Sequence, residues 1–245
     1  MAPPNTDLVQ QLRTSLAAQS LPPPSTSFLA ALVSARTPPL PAPSLLATAR
    51  ARLLACDLTS PYPTAAGGSS SSPPMLDVPA MAALPADVGD ARVKARVLPR
   101  DVHAQVLDVE NLSLSRWQQV EEMEAVARGE RTRGREVVRV TEDADDTAAV
   151  GGRTAVHRLV LQDCRGTLVY AIEAARVDRI GVGRTMIGEK VLLRAGTVVA
   201  RGSVLMTPER TVVLGGKIDA WHEEWTRGRL DRLKAAAAGT DRPRQ

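Results

Sequence analysis

Between Val191 and Gly216 the chain reads VLLRAGTVVARGSVLMTPERTVVLGG, and no other stretch constrains the fold as strongly. Aliphatic and β-branched residues recur at strand spacing, and turn formers interrupt them at Ala195–Gly196 and at the Thr-Pro-Glu-Arg run, where Pro208 presets the turn dihedral. The pattern predicts strands over Lys190–Arg194, Thr197–Met206 and Thr211–Leu214. Upstream, VHAQVLDVENL predicts a strand over Val102–Leu112. Two further strands, Val156–Asp163 and Thr167–Ala174, flank a Cys-Arg-Gly turn and predict a hairpin. No helical crossovers separate these strands, so the expectation is a closed barrel of about five strands rather than a parallel sheet.

The segments around the barrel have their own signatures. Leu8, Leu12 and Leu16 fall on one helical face, as do Phe28, Leu29, Leu32 and Val33, and again Leu45, Leu46, Ala49, Leu53 and Leu54. Proline-rich runs separate the three segments, each too short to be stable alone, which predicts a small three-helix bundle over residues 1–60. Residues 61–96 open with PYPTAAGGSSSSPP and read as a linker, the remainder being little more than a tether. The barrel occupies 97–220 with a long insertion at about 113–154. That insertion begins as a helix, with Ser115 and Gln118 forming a capping box, and continues as a charged loop with a short strand over Val137–Val140. Residues 221–245 form a C-terminal helix and tail, with Trp221 and Trp225 packing it on the barrel. The fold class is α+β.

Composition narrows the function. Aromatic residues make up 2% of the chain, namely Phe28, Tyr62, Trp117, Tyr170, Trp221 and Trp225, so the core is aliphatic and base stacking is poorly supplied. The net charge of +4 is uneven, with 16 basic against 10 acidic groups in residues 156–245. Nearly all these cations are arginine, which suits bidentate contact with phosphate or carboxylate, although a solvated arginine surface explains the bias equally well. Cys56 and Cys164 lie far apart and read as two buried free thiols, with a disulfide as the alternative. With no secretory signal pattern and no apolar run of membrane-spanning length, a soluble intracellular protein is expected.

Catalytic chemistry is missing from the sequence. GVGRTMIGEK offers Glu189–Lys190 where a phosphate loop requires Lys followed by Ser or Thr, and a strand follows it instead of a helix. His103, His157 and His222 occupy separate elements without metal spacing and read as surface or edge residues. No nucleophile motif surrounds either cysteine, and the acidic pairs Glu121–Glu122 and Asp145–Asp146 read as solvated positions. The expectation is a protein without catalytic activity, cofactor, metal or small-molecule substrate.

Four blocks in order carry a resemblance: LLACDLTSP (Leu53–Pro61), VHAQVLDVENLSLSRW (Val102–Trp117), RLVLQDCRGTLVYAIE (Arg158–Glu173) and EKVLLRAGTVVARGSVLMTPERTVVLGGKIDA (Glu189–Ala220). Together they resemble the RecQ-mediated genome instability protein 1 family in a short fungal-type form. The resemblance implies a helical region followed by an oligonucleotide/oligosaccharide-binding (OB) barrel. It also implies a non-catalytic nuclear subunit that binds topoisomerase III and a RecQ-family helicase and promotes double Holliday junction dissolution. The family's insertion after the first barrel strand corresponds to about 113–154, making Trp117, Arg131, Arg133 and Arg135 the expected partner-binding residues. A second reading is a module for single-stranded or branched DNA, acting through Arg194, Arg201, Arg210 and Lys217.

Overall fold

The computed structural model describes residues 4–35, 40–60, 73–129 and 155–240. The linker over 61–72, the charged part of the insertion with Arg131, Arg133, Arg135 and the strand expected at Val137–Val140, and the tail from 241 lie outside the described residues.

Three helices open the chain: α1 (Pro4–Ala18), α2 (Thr26–Ser34) and α3 (Ala42–Ala55). Their apolar stripes meet around Leu12, Leu16, Phe28, Leu29, Leu45 and Leu53, all buried. The Ser25 hydroxyl accepts from the Phe28 amide at 3.0 Å and starts α2, satisfying a donor the helix itself cannot pair.

The strands are β1 (Arg96–Val97), β2 (Val102–Asn111), β3 (His157–Asp163), β4 (Leu168–Glu173), β5 (Lys190–Leu193), β6 (Val198–Ala200), β7 (Ser203–Met206) and β8 (Thr211–Gly215). They form one curled sheet in the order β1-β6-β7-β4-β3-β2-β5-β8, antiparallel throughout except where β4 meets β7. Val102, Ala104, Val106, Leu159, Leu161, Ala171, Leu193, Val204 and Met206 fill its inside. Helix α4 (Arg116–Ala127) follows β2, and α5 (Asp219–Thr240) closes the described chain.

Among the described residues eight strands, in a curled sheet whose end strands β1 and β8 are not paired with each other, stand where a closed barrel of about five was expected. The run Thr197–Met206, read as one strand, turns back on itself at Arg201 and Gly202, whose φ angles are 51° and 78°. Two successive left-handed residues make the tight hairpin between β6 and β7, and an arginine there does not announce such a turn. A side chain at Gly202 would also sit 2.6 Å from the Gly89 carbonyl oxygen, so glycine is required twice over. Strand β1 straddles the boundary read between linker and barrel, and the described part of the segment before it, read as a tether, is packed rather than loose. Its Met75 and Leu76 enter the helical core, while Leu84 and Val88 enter the sheet core. The Leu84 amide donates to the buried Asp163 carboxylate at 2.8 Å.

Helices and sheet are joined by polar bonds and a close backbone approach. Gln105, fully buried in β2, accepts from the Leu58 amide at 2.9 Å and donates to the Asp57 carboxylate at 2.7 Å. Gly216, at φ 95°, lies where a Cβ would be 2.3 Å from the Leu54 carbonyl oxygen. Lys190 is fully buried at this seam, and its ammonium donates to the Gly188 carbonyl at 2.5 Å. Burial holds Lys190 down to about 8 and pushes the nearby Cys56 thiol up to about 11. Both cysteines are free and buried.

Candidate interaction sites at the insertion neck and the basic residues

The insertion leaves the sheet at the end of β2 and rejoins it at β3, and both ends are fastened. The Leu112 amide donates to the Val156 carbonyl at 2.8 Å, and the Val156 amide donates to the Ser113 hydroxyl at 2.9 Å. Just inside, the buried Glu173 carboxylate accepts from the amides of His157 at 2.8 Å and Val177 at 3.0 Å, and from Arg176 at 3.1 Å. Arg176 also donates to the Ala155 carbonyl at 3.4 Å, so one buried acid organises the returning chain. His157 is buried against this carboxylate, its Nδ1 2.7 Å away, which corrects the expectation of a surface or edge residue. His103 is likewise partly buried, 2.9 Å from the Ser20 carbonyl, and burial lowers its pKa. The His222 ring accepts from the Ile187 amide at 3.3 Å. Each histidine is a joint between elements.

Helix α4 stands directly on this neck. Its capping box is complete, with the Gln118 amide donating to the Ser115 hydroxyl at 3.1 Å and the Ser115 amide donating to the Gln118 side chain at 2.8 Å. The buried Gln119 amide group ties the helix back to the carbonyls of Asn111 at 3.0 Å and Leu114 at 3.2 Å. On its other side α4 rests on α5, where Val120 and Ala237 are buried and Lys234 pairs with Glu124 at 2.6 Å. Helix α5 is fixed to the sheet by Trp225, whose indole donates to Asp108 at 2.6 Å. A bulge in β2 between Val106 and Asp108 shifts the register there. The described half of the insertion is therefore a rigid mount.

Its exposed face is mostly polar, with Gln118, Glu121, Glu122 and Arg128 in solvent, and Trp117 stands out on it. Of the large hydrophobic side chains exposed among the described residues, three belong to the neck: Trp117 at 52%, Leu112 at 44% and Val156 at 38%, the last two brought together by the Leu112–Val156 backbone bond. An exposed tryptophan is a residue type enriched among interface anchors. Four others, Val97, Val198, Leu168 and Tyr170, occupy the outer face of β1, β6 and β4, where Arg158 lies 4.7 Å over the Tyr170 ring.

The four basic residues read as a DNA surface are distributed. Arg194 and Arg210 sit together, the Arg194 amide bonding the Arg210 carbonyl at 2.9 Å. The Arg210 side chain holds the Ala195 carbonyl at 2.7 Å across the turn. Arg201 reaches the Ala91 carbonyl at 3.4 Å in a different hairpin. Lys217 pairs with Asp219 at 2.6 Å near the start of α5. In the loop before β5, the Glu189 carboxyl lies buried, accepting from the Met186 amide at 3.1 Å, and burial raises its pKa. No group of three or more metal-ligating side chains occurs among the described residues, and no described helix is long and apolar enough to cross a membrane.

Sequence reasoning did not single out Glu173, Gln119 or Arg229. A usable signal existed for Glu173, which shares the inward parity of Val169 and Ala171 along β4. Gln119 and Arg229 meet at 3.5 Å from positions 110 apart, a contact that no local pattern encodes.

Comparison with known proteins agrees with this architecture in two segments. Residues 84–229 match the family described as "RMI1, N-terminal OB-fold domain", and residues 16–61 match "RMI1, N-terminal helical domain". Among curated proteins, the chain is 26% identical over 153 residues to RecQ-mediated genome instability protein 1 of Schizosaccharomyces pombe. That alignment covers 56% of this chain and spans 64% of the relative's length. The curled sheet, the helical layer and both matches lead to one conclusion: the chain belongs to the RecQ-mediated genome instability protein 1 family.

Proposed function

We propose that the protein is a non-catalytic scaffold in the RecQ genome-maintenance pathway, acting in the nucleus. It binds topoisomerase III and, with a RecQ-family helicase, promotes dissolution of double Holliday junctions. The observation that carries this reading is the insertion neck, where Trp117 is exposed on a helix locked to both the sheet and α5, and Leu112 and Val156 are exposed where the insertion leaves and rejoins the sheet. A rigid mount with an uncovered tryptophan lowers the ordering cost of binding a protein surface. The family membership supports the pathway, and the relative's printed name associates that protein with RecQ.

Capture of purified topoisomerase III by the immobilised full chain tests the proposal. Trp117→Ala is expected to weaken capture at least tenfold while leaving the urea midpoint unchanged, since the side chain is half exposed. Equal capture by the variant and the wild type refutes the role of the neck.

Direct DNA binding draws less support from the geometry. Arg194, Arg201, Arg210 and Lys217 lie in three places, and two of them already hold a carbonyl or a carboxylate at 2.7 Å or less. DNA affinity that falls steeply with salt and is abolished by Arg201→Ala with Arg210→Ala would favour that reading instead.

A further inference from the structure

A groove of about 580 Å³ runs between α2, the end of α3, residues 73–75 and the first turn of α5. Neither the neck nor the sheet contributes to it. Phe28, Ala31, Leu32 and Ala35 line one wall at successive helical spacing, i, i+3, i+4 and i+7, so a continuous face of α2 is turned into the opening. Met75, Ile218 and Trp221 complete an apolar floor and opposite wall.

Size alone admits a small molecule, since ligand cavities run about 300–1,000 Å³. The lining argues against one. Small-molecule sites fix orientation with converging buried polar groups, and here the charged side chains, Arg52, Lys217 and Asp219, are all exposed. Among the described residues, the buried side-chain atoms without a partner, on Gln19 and Thr211, lie elsewhere. A long apolar trough with small residues along one wall fits a helix laid beside α2, because Ala31 and Ala35 let a second axis approach to about 8–10 Å.

The charge of the rim narrows the occupant. Lys217 and Asp219 neutralise one another at 2.6 Å. Arg52 has no hydrogen-bond or ion-pair partner among the described residues and so leaves the rim net positive. We propose that this groove docks one amphipathic helix of a protein partner, apolar on the face it inserts and acidic along the flank that meets Arg52. The site is a second attachment point, distinct from the insertion neck. It spans the helical layer and α5, so an occupant would bridge the two ends of the chain.

The test uses the full chain and labelled synthetic peptides followed by fluorescence anisotropy. One peptide carries leucines at helical spacing with flanking glutamates, a second replaces the glutamates by lysines, and a third scrambles the first. The acidic peptide is expected to bind at least tenfold more tightly than either control. Arg52→Glu should reverse the preference between the acidic and basic peptides. Ala31→Trp, at an exposed position on α2, should fill the trough and abolish binding. Circular dichroism checks that both variants fold; Arg52→Glu, a surface change, stands as the test should Ala31→Trp fail. Any of these binding results overturns the proposal: no binding of the acidic peptide, binding indifferent to charge, or binding untouched by a folded Arg52→Glu. If only a chain lacking residues 61–72 binds peptide, the occupant is the chain's own segment and the proposal falls. A dimer of the wild type dissolved by Ala31→Trp identifies a second copy as the occupant and overturns it equally.

Discussion

Replacing Lys190 by methionine is expected to stabilise the protein at neutral pH and to remove a rise in stability just above pH 8. Lys190 is held at about 8 in the fold against 10.5 in the unfolded chain, chiefly because burial penalises its charge. The difference corresponds to about 3 kcal/mol disfavouring the folded state wherever both forms are protonated, that is, below pH 8. As pH rises past 8 the folded lysine releases its proton while the unfolded one keeps it, so unfolding free energy climbs by about 1.4 kcal/mol per unit. Cys56 acts in the opposite direction. Its thiol is pushed from 9.0 to about 11, so above pH 9 the unfolded chain ionises first and stability falls at a similar slope. Wild-type stability should therefore rise between pH 8 and 9, run level to about 10.5, and then decline. Lys190→Met should be flat through the first window and fall through the second. At neutral pH its gain should be about 1–3 kcal/mol, because the bond to the Gly188 carbonyl is lost along with the buried charge. Cys56→Ala should keep rising to 10.5. Urea unfolding followed by tryptophan fluorescence across this range measures all three curves. A flat wild-type curve between pH 8 and 9, or a Lys190→Met protein less stable than wild type at neutrality, refutes the reasoning.

Other outcomes follow from the same contacts. Gly216→Ala should cost about 3 kcal/mol, since it combines a left-handed φ with a clash at the Leu54 carbonyl. Gly183→Ala, equally left-handed but with open space around it, should cost only about 1 kcal/mol, and comparing the two urea midpoints separates clash from strain. Ser115→Ala should remove about 1 kcal/mol from α4, seen as faster amide exchange over residues 116–127 with the sheet unaffected. Glu173→Gln should lose about 3 kcal/mol because the buried His157 and the half-buried Arg176 lose their carboxylate; an unchanged thermal midpoint contradicts the organising role given to Glu173.

What the sequence disclosed was what neighbouring residues encode. The alternation of β3 and β4, the Ser115 capping box and the stripes of the first three helices are local patterns, and each is present in the structure. The β6–β7 hairpin was hidden because an arginine occupies the first left-handed position, where glycine or asparagine would have signalled the turn. Residues 73–96 lack any period, since Met75, Leu76, Leu84 and Val88 bury one at a time against two different cores. Lys190 opens a strand whose residues are all buried, so alternation could not flag its position. Among the candidate interaction residues, Trp117 was expected through the family resemblance of the insertion. The joints that hold it still were not, because Gln119, Glu173 and Arg229 act across long sequence separations.

The closure of the neck has a consequence for how such chains vary. Ser113 and Val156, 43 positions apart, meet through one hydrogen bond, so the two ends of the insertion are pinned together at the sheet. Doubling such a loop costs only about 0.6 kcal/mol of closure entropy. A change of length between these two points should therefore disturb the register of the described strands less than one within the curled sheet.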